Sequence, residues 1–166
     1  MTCRSQPSSR FGIWPIGLNL KCVQRIALDL KLHDAVHFLG FVSLEGLVWL
    51  YRQALALTHV TFFGPDNLPP LEAFALGCPV IASRVEGAEE QLGNAALLVD
   101  PSDEMQIAEA IRCVCHGANL RVELVTKGKK RAKLFTGKEY VEAILQLLDT
   151  LAPMVRCSDW HGYQGA

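Results

Sequence analysis

The sequence alternates short β-prone runs with stretches of helical periodicity from Ala35 onward, and this alternation is its most constraining feature. The β-prone runs are residues 36–41, 56–63, 79–82 and 96–99. Between them, apolar residues recur at three- and four-residue spacing, as in residues 44–55. Strands that alternate with helices form βαβ units, in which parallel strands lie side by side under helices on both faces. The sequence therefore predicts an α/β domain with a Rossmann-like parallel sheet of four to five strands flanked by helices.

Capping residues and loss of periodicity predict the remaining organisation of the chain. Ser43 and Asp103 each precede a periodic apolar stretch, so we expect them to cap helices over residues 44–55 and 104–115. Further helices are predicted over residues 119–135 and 138–151. The two ends lack usable periodicity. We therefore expect a poorly ordered or truncated start over residues 1–22, one domain over residues 23–151 and a loose tail over residues 152–166.

Composition and charge exclude several classes of protein. Sixteen basic and 17 acidic residues give a net charge of -1, without the positive surplus that a phosphate backbone requires. The longest apolar runs fall short of the roughly 20 residues that cross a bilayer, and the start lacks the apolar core of a secretory signal. Six cysteines are scattered without a repeated pairing motif, which is typical of free thiols. We therefore expect a cytoplasmic protein that binds neither nucleic acid nor a metal.

The loop after the run at residues 56–63 is the candidate binding site. Residues 64–67 are turn formers, and the next helix begins near Leu68. Such a loop offers free backbone N–H groups and the positive end of a helix dipole, which together bind anions such as diphosphates. Glu72 falls one turn into the helix, where its carboxylate can accept hydrogen bonds from the vicinal hydroxyls of a ribose. The alternative interpretation is an ordinary loop with a solvated Glu72.

Residues 62–83 read FFGPDNLPPLEAFALGCPVIAS and closely resemble the donor-site signature of retaining GT-B glycosyltransferases (glycosyl transferases group 1, family 4). The resemblance extends to residues 36–42, 50–54 and 95–101 and covers residues 25–150. It implies the carboxy-terminal, donor-binding lobe of a GT-B fold. The implied activity is transfer of a hexosyl group from a nucleotide sugar to a sugar or lipid-linked acceptor with retention of configuration, as in cell-surface polysaccharide assembly.

The resemblance also implies a set of donor-binding residues, namely Gly40, Phe41, Gly64, Asp66, Asn67, Leu68 and Glu72. In this family Glu72 would hydrogen-bond the ribose, and backbone N–H groups near Leu68 would meet the diphosphate. Asp66 and Asn67 would lie near the donor sugar, while the backbone around Gly40 and Phe41 would face the base. By this resemblance the leaving diphosphate helps to deprotonate the acceptor, and the mechanism needs stabilisation of the departing phosphate more than a protein nucleophile. The resemblance implies no cofactor or metal ion, and it leaves the catalytic residues of this chain unassigned.

Two departures from the family pattern concern the donor site. Gly64 stands eight positions before Glu72, where the signature has an acidic residue, so Asp66 or Asn67 is expected to take over the sugar contact. Residues 1–20 match nothing of the strand and helix from which the family supplies an Arg and a Lys to the diphosphate. The sequence thus predicts a donor site without that pair of cations.

The family's amino-terminal, acceptor-binding half has no counterpart in the sequence. Since catalysis requires both substrates to be held together, we expect a truncated or split enzyme that needs a separately encoded N-terminal domain. The alternatives are a non-catalytic nucleotide-sugar-binding or interaction module and a decayed gene fragment. The basic run at residues 127–133 predicts a solvated helix face or, alternatively, contact with an anionic membrane at its inner face.

Overall fold

The computed structural model describes residues 11–13, 20–63, 68–134, 138, 141–142 and 145–146. It divides into two compact units, Met1–Leu47 and Val48–Ala166, which we describe one at a time. The predicted loose tail and most of the predicted poorly ordered start lie outside the described residues. Of the predicted helix over residues 138–151, the five residues that are described are all helical.

The first unit contains a parallel βαβ arrangement. Strand β1 (Phe11–Ile13) is followed by helix α1 (Leu20–Asp29) and strand β2 (Val36–Phe38). The two strands pair in parallel, with Phe11 opposite Val36. Strand β1 is an element that the sequence analysis did not predict, because its three residues lack any visible alternation.

Helix α2 (Leu44–Gln53) begins in the first unit and ends in the second. The predicted cap at its start is confirmed, since the backbone N–H of Gly46 donates to Ser43 Oγ at 3.2 Å. Such a bond satisfies one of the four backbone donors that a helix leaves free at its amino terminus.

The second unit is a three-stranded parallel sheet with helices on both sides. Strands β3 (Leu57–His59), β4 (Val80–Ser83) and β5 (Ala96–Val99) pair in the order β3-β4-β5. All four residues of the central strand β4 are buried, as expected for a parallel sheet that is covered on both faces. The predicted α/β class, with parallel strands flanked by helices, is confirmed.

In the described part of the chain, a helix follows each strand of this sheet. Helix α3 (Leu68–Leu76) connects β3 to β4, and the short helix α4 (Ala88–Leu92) with a 3-10 turn (Gly93–Ala95) connects β4 to β5. Helices α5 (Glu104–His116) and α6 (Ala118–Ala132) follow β5. None of the helices in the described part of the chain is long and apolar enough to cross a membrane.

The core of the second unit fixes α3 against the sheet and α6. Ile81 and Val99 pack with Val114 and Leu124, which come from α5 and α6. Helix α6 approaches α3 closely at Gly128, where an added Cβ would lie 2.7 Å from Cδ1 of the buried Phe74. Only a glycine permits this approach, because real Cβ contacts are longer.

Local hydrogen bonds define two helix ends of the second unit. Helix α3 stops at Gly77, which has a φ of 76°. The N–H of Gly77 donates to the Phe74 carbonyl at 3.2 Å and that of Cys78 to the Ala73 carbonyl at 2.8 Å, which is the Schellman pattern. At the start of α5, Asp103 Oδ1 accepts from the Gln106 backbone N–H at 2.9 Å, so the predicted cap is confirmed.

Candidate functional site

The candidate site lies on the crossover from β3 to α3. Strand β3 ends at His59 and α3 begins at Leu68, so the connection leaves the carboxyl end of a parallel strand. Ligands of open α/β sheets bind in the crevice beyond these strand ends. The connecting residues Gly64, Asp66 and Asn67 lie outside the described residues, so their sugar contacts stay a prediction.

Strand β3 is shorter than predicted because the side chain of Ser83 redirects the chain. The predicted strand ran to residue 63, whereas the observed one ends at His59. Ser83, buried at the end of β4, accepts a hydrogen bond from the Thr61 backbone N–H at 2.6 Å. Thr61 Oγ1 in turn donates to the Phe63 carbonyl at 2.7 Å. These bonds hold residues 61–63 outside the strand ladder, whose pairing ends at His59.

The amino terminus of α3 offers few backbone donors. Of its first three residues, Pro69 and Pro70 carry no N–H, so Leu68 alone has a donor to offer. The side chain of Leu68 is exposed. An anion at this helix end would therefore interact with one N–H group of these three residues and with the positive end of the helix dipole.

Glu72 is held by a tyrosine on another helix. It is the fifth residue of α3, and its side chain is exposed. The hydroxyl of Tyr51, on α2, donates to Glu72 Oε2 at 3.2 Å. The ring of Tyr51 is buried, and the residue exposes only 8% of its surface. Burial, together with the negative charge of Glu72, raises the pKa of Tyr51 well above its usual range, so its phenol stays a donor.

Tyr51 lies within the periodic stretch at residues 44–55, and the sequence analysis gave it no role at the site. The available signal was chemical: a buried tyrosine hydroxyl almost always has a hydrogen-bond partner. That partner is 21 residues away in the sequence, so no local pattern could identify it. Ser83 was missed for the same reason, since its contact with Thr61 spans 22 residues.

Gly40 and Phe41 belong to the first unit, immediately after β2. Gly40 has a φ of 65°, and an added Cβ would meet nothing within 4 Å. Its backbone conformation therefore requires glycine, whereas crowding does not. The side chain of Phe41 is 94% exposed. The predicted contact of these two residues with the donor base stays a prediction.

Two other titratable side chains lie near strand ends, and burial shifts the pKa of each. Burial lowers the pKa of His59, which favours its neutral form. Burial raises the pKa of the Cys78 thiol to about 11, so this cysteine is a poor nucleophile at neutral pH. Among the residues that the structure describes, no group of three or more His, Cys, Asp or Glu side chains could hold a metal ion.

The basic run on α6 takes part in contacts within the second unit. Lys127 pairs with Glu123 at 2.6 Å, and Arg131 Nε donates to the Gln91 carbonyl at 2.9 Å. A guanidinium NH2 group of Arg131 also donates to the Glu90 carbonyl. Arg131 thus stabilises the carboxyl end of α4. The predicted membrane contact of this run stays a prediction.

Comparison with known proteins gives one family and a consistent set of relatives. The family model described as glycosyl transferases group 1 matches residues 11–131. The O-antigen chain mannosyltransferase RfbU of Salmonella typhimurium is 40% identical over 90 residues, which are 54% of this chain and 26% of the relative. A D-inositol 3-phosphate glycosyltransferase of Corynebacterium jeikeium is 30% identical over 139 residues, which are 82% of this chain and 33% of the relative. The matched region is thus about a quarter to a third of each relative.

Two solved structures are also similar to this chain in fold. Sucrose-phosphate synthase from Thermosynechococcus elongatus has a TM-score of 0.71 at 28% identity, and the match covers 81% of this chain and 34% of that one. Anabaena HepE in complex with UDP-glucose has a TM-score of 0.67 at 21% identity, over 81% of this chain and 36% of that one. At 21% identity, the similarity to HepE is a similarity of fold alone.

Proposed function

The chain belongs to the glycosyl transferases group 1 family, and from this membership we propose that it binds the nucleotide-sugar donor of a retaining hexosyl transfer. The observation that carries the proposal is the crossover from β3 to α3, which places a helix amino terminus and a tethered carboxylate, that of Glu72, on one element. The helix amino terminus suits a diphosphate, and the carboxylate suits the hydroxyls of a ribose.

The donor is held by charge at one end of α3 and by hydrogen bonds one turn further on. The diphosphate lies at the helix amino terminus, where the Leu68 N–H and the helix dipole interact with its negative charge. Glu72 accepts hydrogen bonds from the ribose hydroxyls through the oxygen that Tyr51 leaves free. Asp66 and Asn67 are assigned to the donor sugar, because Gly64 has no side chain for this purpose. Gly40 and Phe41 are assigned to the base by family resemblance.

The transfer itself depends on stabilising the leaving group. As the bond from the anomeric carbon to the donor phosphate breaks, negative charge accumulates on the diphosphate, and donors already aimed at that position lower the barrier. The proposal assigns no protein nucleophile and no metal ion to this step. The acceptor hydroxyl oxygen bonds to the anomeric carbon on the face that the leaving diphosphate occupies, and its proton passes to that diphosphate. This geometry preserves the anomeric configuration.

The names of two relatives support a hexose donor and a polysaccharide acceptor. Both are named as O-antigen chain mannosyltransferases, from Salmonella typhimurium and Escherichia coli. Because these relatives are about four times as long as their matched region, an acceptor-binding domain in addition to the residues matched here is part of the proposal. Turnover requires that domain, since effective molarity arises only when both substrates are held in one cleft.

Calorimetric titration at low salt tests the donor site. The purified chain is titrated with UDP, GDP and ADP and with their hexose conjugates, with and without a chelator. We expect saturable binding of one nucleotide that the chelator leaves unchanged. Glu72→Ala is expected to weaken it by about 1–3 kcal/mol, because the ribose hydroxyls lose their acceptor.

Glu109→Ala is the matched control, since Glu109 is an exposed glutamate on α5 whose carboxylate contacts Arg112 and the Cys113 thiol of its own helix. Its affinity should equal that of the unmodified chain. Absence of binding by every nucleotide would refute the proposal. If binding is retained but addition of the acceptor-binding half of a relative restores no transfer, the chain is a binding module.

A further inference from the structure

Tyr51 and Glu72 form a pair with unequal environments. The tyrosine is buried on α2, whereas the glutamate side chain is exposed on α3. Their hydrogen bond, 3.2 Å between Tyr51 Oη and Glu72 Oε2, joins two helices. In the described part of the chain, no other hydrogen bond reaches the Glu72 carboxylate. One carboxylate oxygen is therefore occupied from inside the protein, and the other remains available to a ligand.

Both partners are attached to rigid surroundings. On α3, Ala73 and Phe74 follow Glu72 directly and are fully buried, and Gly128 of α6 packs against the Phe74 ring. On α2, Tyr51 is the buried residue of its helix. The hydrogen bond therefore restricts a side chain that would otherwise move freely on an exposed helix surface.

An exposed glutamate ordinarily populates many rotamers and must be immobilised when a ligand binds. A hydroxyl that fixes one of its oxygens beforehand reduces that entropic cost. The entropy lost when one flexible side chain is immobilised corresponds to a change in affinity of roughly 3- to 10-fold. The pair thus has the geometry of a preorganised hydrogen-bond acceptor.

We propose that Tyr51 is a positioning residue of the donor site, whose hydroxyl holds one oxygen of Glu72 so that the other faces the vicinal hydroxyls of the donor's ribose. The inference rests on the proposed function, because it assumes that Glu72 contacts the ribose. It adds that selectivity for a ribose over a sugar lacking both hydroxyls depends on a buried residue that does not touch the donor.

The experiment compares the nucleoside diphosphate that the chain binds with its 2′,3′-dideoxy analogue. Tyr51→Phe is expected to weaken the ribonucleotide by roughly 3- to 10-fold and to leave the dideoxy analogue unchanged. In a Glu72→Ala background the same substitution should have no further effect on either ligand. A merely structural role of Tyr51 would weaken both ligands equally and would persist without Glu72.

Tyr51→Phe keeps the buried ring, and water can meet the freed oxygen of the exposed Glu72, so the variant is expected to fold. If Tyr51→Phe does not fold, the measurement is repeated with Tyr51→Met, which also lacks the hydroxyl. Thr126→Val is the control for loss of a hydroxyl. Among the described residues, Thr126 Oγ1 bonds only to the Val122 carbonyl of its own helix, at 2.8 Å.

The outcomes separate this inference from the function it rests on. If the unmodified chain binds no nucleotide, the proposed function fails first. If Glu72→Ala weakens the ribonucleotide while Tyr51→Phe leaves it unchanged, the donor site stands and the positioning role of Tyr51 is overturned.

Discussion

In the second unit Phe74, Ile81 and Val114 each expose 1% of their surface, whereas in the first unit Ile26, Leu28 and Leu30 expose 49%, 64% and 63%. Ala27 is the one buried residue among those described in the first unit. Both units contain parallel strands and helices with apolar residues at helical spacing. The comparison shows that such spacing tells which face of a helix is apolar, whereas burial depends on a partner surface. The helix that carries Glu72 therefore packs against a buried core. Gly40 and Phe41 belong to a unit in which few of the described residues are buried.

The test with the largest expected effect removes one apolar side chain from each unit. Phe74→Ala is expected to lower the free energy of unfolding by about 3–5 kcal/mol, because it leaves a cavity in a close-packed core. Ile26→Ala is expected to cost under about 1 kcal/mol, since much of that side chain is already in water. Urea unfolding of both variants measures the difference. Similar losses would show that the two units are packed equally well.

A second test uses two glycines that are required for different reasons. Gly128→Ala crowds the Phe74 ring, and we expect a net loss of up to about 2 kcal/mol, because overpacking outweighs the better helix propensity of alanine. Gly40→Ala meets open space but keeps a φ of 65°, so its cost of about 1 kcal/mol comes from the backbone alone.

Thermal unfolding, followed by circular dichroism, measures both costs. Shortening Phe74 to Leu should recover part of the loss caused by Gly128→Ala and none of the loss caused by Gly40→Ala. Recovery in both cases, or in neither, would contradict the distinction between crowding and backbone strain.

The smallest expected effect is a pH dependence that belongs to the second unit. Burial lowers the pKa of His59 below its ordinary value of 6.5, so the unfolded chain binds a proton more readily than the folded one. The stability from neutral His59 is present above pH 6.5 and is lost as the pH falls through the lower folded pKa. His59→Gln should therefore reduce the drop in the urea midpoint between pH 7 and pH 5. An unchanged drop would exclude His59 as its source.

Much of the fold could be predicted because its signals are local. Ser43, Gly77 and Asp103 mark helix ends through side-chain caps or a left-handed backbone, and each does so within a few residues of its partner. The strands β2, β4 and β5 are short apolar runs between such ends. In contrast, β1 was missed, since three residues with a glycine in the middle provide no periodicity.

The candidate site could be predicted only in part for a related reason. The position of Glu72 one turn into α3 follows from the turn formers and the two prolines before it. The tether from Tyr51 and the bond from Ser83 to Thr61 join residues more than 20 positions apart, so they exist only once the chain is folded. The predicted end of β3 was wrong for this reason, because Thr61, within the β-prone residues 61–63, bonds to the side chain of the distant Ser83.

The paired prolines at the start of α3 also affect the chain before it folds. Pro69 and Pro70 hold φ near the helical value even in the unfolded state, so the first turn of α3 loses less conformational freedom on folding than another sequence would. Such a site is poorly suited to redesign by a single substitution. Replacing either proline would restore a backbone donor beside the site proposed for the donor phosphates and, in the same change, loosen the unfolded chain around it.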